Sequence, residues 1–176
     1  FRNQYNFWKP EWGFSLPYKI IKKLNDKKYS VDIDTKFFKS KLEMAEQVHK
    51  GKKKESILFV GHFDHPQMCL DGLVGCLAGH ETISRLKNIK TNLTYRMLST
   101  VEIIGSVFYA KHHAKKKKIR QALFVATAGA PKNLHYQLSF SKNNVIDRVS
   151  IHAIKYLENN FKTSSFRKGP LGNDEI

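Results

Sequence analysis

A chain of 176 residues with 41% hydrophobic and 12% aromatic residues carries enough apolar side chain to bury the core of one domain, which excludes a disordered segment. No stretch reaches the roughly 18 apolar residues of a membrane-spanning helix and no basic-then-apolar signal pattern opens the chain, so a soluble, cytoplasmic protein with no membrane partner is expected. The net charge of +16, from 31 Lys+Arg against 15 Asp+Glu, is scattered along the sequence with dense lysine runs only at 52–54 and 115–118, so nucleic acid is not the expected partner.

The chain opens on Phe1 and closes on a mixed polar stretch ending at Ile176, which marks it as an expected piece of something longer. Residues 1–18, rich in aromatics and holding Pro10 and Pro17, read as extended, and residues 19–24 as a short helical turn. Residues 29–34 alternate apolar and polar side chains and predict a half-buried strand, with 42–49 as a second strand or its hairpin partner. Residues 1–50 thus form an extended, β-containing segment expected to pack on a single domain that spans 1–176.

The continuous apolar run at 56–61 suits a central strand covered on both faces, and its end delivers the chain to His62. Leu73, Leu77, Ile83 and Leu86 repeat at helical spacing, then come a strand over 93–100, a helix over 105–113, a strand over 119–126 and a helix over 145–159. Strands alternating with helices mean a layered α/β domain. Cys69 and Cys76 are too far apart for a structural zinc pair and are expected to be free thiols.

Ligands of an open α/β sheet gather beyond the carboxyl ends of its strands. Two such places stand out. After the strand at 56–61 come His62, Asp64 and His65, then Asp71, a set of imidazoles and carboxylates that suits a borderline metal such as zinc. Asp64 stands where a carboxylate would orient a metal-bound imidazole from behind. After the strand at 93–100 comes Glu102, a carboxylate able to bind a metal or accept a proton from water.

The segments from Gly61 to Pro66, from Asp71 to Gly75 and from Glu102 to Ser106 together resemble the aminopeptidase-like family of zinc exopeptidases often associated with bacterial polysaccharide biosynthesis genes. That family is in turn similar to the di-zinc aminopeptidases. Residues 12–17 and 29–34 extend the resemblance upstream, and His135 to Gln137 and Gly172 to Glu175 extend it downstream, so it covers nearly the whole chain.

The resemblance implies a three-layer α/β/α sandwich with a mixed, mostly parallel central sheet. It also implies one or two zinc ions and hydrolysis of a peptide or small amide by metal-activated water. By the same likeness Asp71 bridges two ions, His62 or His65 holds one of them, and Glu102 is a metal ligand or the general base. Asp174 is a further metal ligand and Glu175 binds the substrate's amine. Departures are the single Glu102 where the di-zinc enzymes have two glutamates, Ala130 where a polar residue is expected, and Leu70 beside Asp71. They leave open an alternative, a non-catalytic binding or assembly module with an incomplete metal site. A homo-oligomer is compatible with the sequence.

Overall fold

A computed structural model describes residues 16–25, 28–65, 69–126, 129 and 133–166. Its internal contacts separate two units, Phe1–Lys41 and Leu42–Ile176. In the first, the helical turn α1 (Tyr18–Ile21) starts directly after Pro17, whose φ of −54° is already close to helical. The strand predicted over residues 29–34 does not form: these residues pair with no strand among the described residues, and Tyr29, Val31 and Ile33 are exposed. Alternation alone does not make a strand, because its backbone N–H and C=O groups need a ladder partner.

The second unit is built on a four-stranded sheet in the order β1-β3-β2-β4, with β1 at Ala45–His49, β2 at Ser56–His62, β3 at Thr94–Thr100 and β4 at Ile119–Phe124. β2 runs parallel to both β3 and β4, while β1 pairs antiparallel with β3. Residues 42–49 therefore hold a strand, and it lies on an edge of the central sheet, paired with β3.

Between β2 and β3 runs α2 (Val74–Arg85), and between β3 and β4 runs α3 (Ile104–Tyr109), prolonged by a wider helical turn over Ala110–Ala114. The two helices take opposite faces of the sheet. On one face Cys76 and Ile83 of α2 pack with Met97 of β3, against Phe59 and Tyr95. On the other, Tyr109 of α3 packs with Leu58, Val60 and Leu98. The alternation of side chains along β2 and β3 produces both faces, and three layers with a mixed, mostly parallel sheet result.

Because α2 leaves β2 toward one face and α3 leaves β3 toward the other, a crevice opens between the carboxyl ends of these neighbouring strands. Beyond the sheet, β5 (His135–Gln137) pairs parallel with β6 (Lys162–Ser164), and α4 (Val145–Leu157) lies between them in sequence. Neither short strand is predicted from sequence, since three residues carry no readable period. No helix among the described residues is long and apolar enough to cross a membrane.

Candidate metal centre

His62 closes β2 and is 1% exposed. Its Nδ1 lies 3.0 Å from Asp64 Oδ1, and its ring stacks on Phe124 of β4 with centroids 5.6 Å apart. A hydrogen bond to Asp64 assigns the proton to Nδ1 and leaves the Nε2 lone pair open. Nε2 is buried without a hydrogen-bond partner among the described residues, although Asp71 Oδ1 stands 3.3 Å away. A buried imidazole nitrogen in that position is a cost unless something else meets it.

Asp71 reaches both imidazoles, with Oδ2 3.8 Å from His65 Nε2. The chain brings it there through a tight bend, Asp71 at φ −98°, ψ 97° and Gly72 at φ 109°, ψ −75°. Glycine is required at that bend twice over. Its φ lies in the left-handed region, and a Cβ would stand 2.5 Å from the His62 carbonyl oxygen.

Glu102 follows β3 on the far side of the crevice, with Oε2 3.4 Å from His65 Nε2. Its placement depends on Ile103, a β-branched residue at φ 61°, ψ −61°. There the Ile104 N–H donates to the Glu102 carbonyl at 2.7 Å, a γ-turn of the rarer positive-φ kind. Such strain persists where surrounding structure holds it and concentrates at functional sites. Ligand atoms of His62, His65 and Glu102 all lie within 4.8 Å of one another.

Beneath the crevice, the Cys76 thiol donates to the His62 carbonyl at 3.3 Å. Burial pushes that thiol above its usual range, so it is a neutral donor rather than a thiolate ligand. Both cysteines are free, Cys69 exposed and Cys76 buried.

The structure thus brings together His62, Asp64, His65, Asp71 and Glu102 from three separate stretches of chain. Asp174, Glu175 and Ala130 lie outside the described residues, and Leu70 is exposed. Sequence reasoning missed Phe124, Gly72 and Ile103. Of these only Gly72 carried a local signal, as the second residue of an Asp-Gly turn pair.

Residues 11–176 match the domain family described as domain of unknown function DUF4910. A Clostridium acetobutylicum protein named as a candidate polysaccharide biosynthesis protein with an aminopeptidase-like domain is 28% identical over 171 residues, 97% of this chain and 39% of that protein. Among solved structures, a candidate peptidase from Clostridium acetobutylicum superposes with a TM-score of 0.67 at 26% identity, over 75% of this chain and 31% of the other. The glutaminyl cyclase of Macrostomum lignano shares the fold at 13% identity and a TM-score of 0.51, over 76% of this chain and 56% of that one. The chain spans well under half the length of the two Clostridium relatives, and its fold is peptidase-like.

Proposed function

We propose that this chain, which belongs to the DUF4910 domain family, carries the metal centre of a zinc-dependent hydrolase of the aminopeptidase type. The observation that supports this most is the buried Nε2 of His62, which meets no hydrogen-bond partner among the described residues and stands with the His65 imidazole and the Asp71 and Glu102 carboxylates at the carboxyl ends of β2 and β3. Nitrogen and oxygen donors in that mixture suit zinc.

Bound there, zinc would polarise the carbonyl of an amide substrate and bring the pKa of a coordinated water to about 7. The chain's own groups supply the rest. Asp64 holds the His62 ring by its Nδ1 proton, so Nε2 is presented as a lone pair. Asp71, which lies against both imidazoles, would be the carboxylate shared between the ions, and His65 would hold one of them. Glu102 is the group we assign to take a proton from the attacking water and deliver it to the leaving amine. Asp174 is assigned as a further ligand and Glu175 as the contact for a free N-terminal amine, which makes a peptide or small amide the substrate class.

Metal analysis of the full-length protein tests the proposal. The wild type is expected to retain one or two zinc ions, with His65→Ala and Asp71→Ala each abolishing binding. A wild type free of zinc after loading would instead favour a non-catalytic module, and variants that load as the wild type does would take the metal away from His65 and Asp71.

A further inference from the structure

We infer that Thr100 is a positioning residue of the metal-loaded site, its hydroxyl donating to the Glu102 carboxylate once a cation is bound. This rests on the metal reading above. Thr100 closes β3 and has no exposure, and its Oγ1 is buried with no hydrogen-bond partner among the described residues. Buried hydroxyls without partners are rare and costly, and each calls for an explanation.

Its place in the fold supplies one. Thr100 is the register partner of His62 across the parallel β2–β3 pairing. Two residues earlier on each strand, Val60 and Leu98 share the α3 face, so His62 and Thr100 return to that face. The two orphaned atoms, His62 Nε2 and Thr100 Oγ1, therefore belong to neighbouring residues at the end of the sheet where the carboxylates gather. The third such atom among the described residues, on His49, pairs in register with Tyr95 near the opposite end of β3.

The hydroxyl is not spent on the start of α3. The Gly105 N–H already bonds to the Val101 carbonyl at 3.1 Å, and Gly105 packs so closely that a Cβ would stand 1.7 Å from Oγ1. Glu102 is the only acidic residue between Glu81 and Asp147, two residues beyond Thr100. A carboxylate that ligates a metal through one oxygen needs a donor to orient it.

Thr100→Val and Thr100→Ser in the full-length protein test this by two readouts, urea unfolding after chelator treatment and zinc affinity by competition with a chromophoric chelator. Thr100→Val is expected to leave the metal-free protein no less stable than wild type, because the hydroxyl it removes is unsatisfied there, while weakening zinc about tenfold. Thr100→Ser is expected to keep wild-type affinity. A Thr100→Val protein that is less stable without metal, or fails to fold, and any variant pair with equal zinc affinity would overturn the inference. A wild type that binds no zinc overturns the metal reading itself, and this inference with it.

Discussion

Gly72 shows how much of the site hangs on one backbone angle. Its φ of 109° turns the chain so that Asp71 faces two imidazoles, and any side chain would strike the His62 carbonyl. Gly72→Ala is expected to lose about 2 kcal/mol or more of stability in urea unfolding, with zinc affinity falling further than stability alone explains. Asp64→Ala tests the neighbouring relation: freeing the His62 Nδ1 proton should weaken zinc by about tenfold or more in a chelator competition. His62, Asp64, His65, Asp71 and Glu102 were legible as candidates because His, Asp and Glu after strand ends are few. Phe124, stacked on His62 from a strand some sixty residues away, was not, because nothing local distinguishes it from a core aromatic.

At the scale of elements, α4 depends on Asp147. Its Oδ1 accepts from Tyr136 Oη at 3.1 Å and the Ser139 N–H at 2.8 Å, and its Oδ2 from Ser139 Oγ at 2.6 Å and the Asn144 N–H at 2.9 Å. The carboxylate thus closes the first turn of α4 and ties it to β5. Burial alone would raise its pKa, but those donors hold it below the usual aspartate range. A depressed folded pKa contributes stability that is full above the unfolded value, about 4, and is lost as pH falls through the folded one. Asp147→Asn should therefore cost about 2 kcal/mol at neutral pH in denaturant unfolding, and the gap to wild type should narrow on acidification below pH ~4. Long periodic elements such as α2 and β2 could be read from sequence, whereas 29–34 carried the strand pattern without acquiring a strand partner.

For the whole second unit, the parallel order of β2 and β4 has an electrostatic consequence. The lysine runs at 52–54 and 115–118 precede the two strands, so both come to the amino end of the sheet, opposite the cluster of His62, His65 and Glu102. Ser56 joins them, its Oγ donating to the carbonyls of Lys54 and Lys117 and its N–H to that of Lys118. Charges that look scattered in sequence are crowded in space. Lys117 is neutralised by Glu46, which also takes Tyr109 Oη and Arg96; the two runs together hold seven lysines. Raising ionic strength should screen this crowding, so the Tm of the metal-free protein is expected to rise with added sodium chloride, and a fall would contradict the repulsion.

What the sequence determined by itself was the menu of elements and the chemistry available at strand ends, because hydrophobic period and residue type act locally. The tertiary structure decided which ends meet. β1 joined β3 and the helices took opposite faces, and only that arrangement sets His62, His65, Asp71 and Glu102 around one crevice. It also decided the orphaned atoms and the left-handed bend at Gly72, since whether a buried polar group finds a partner depends on neighbours distant in sequence.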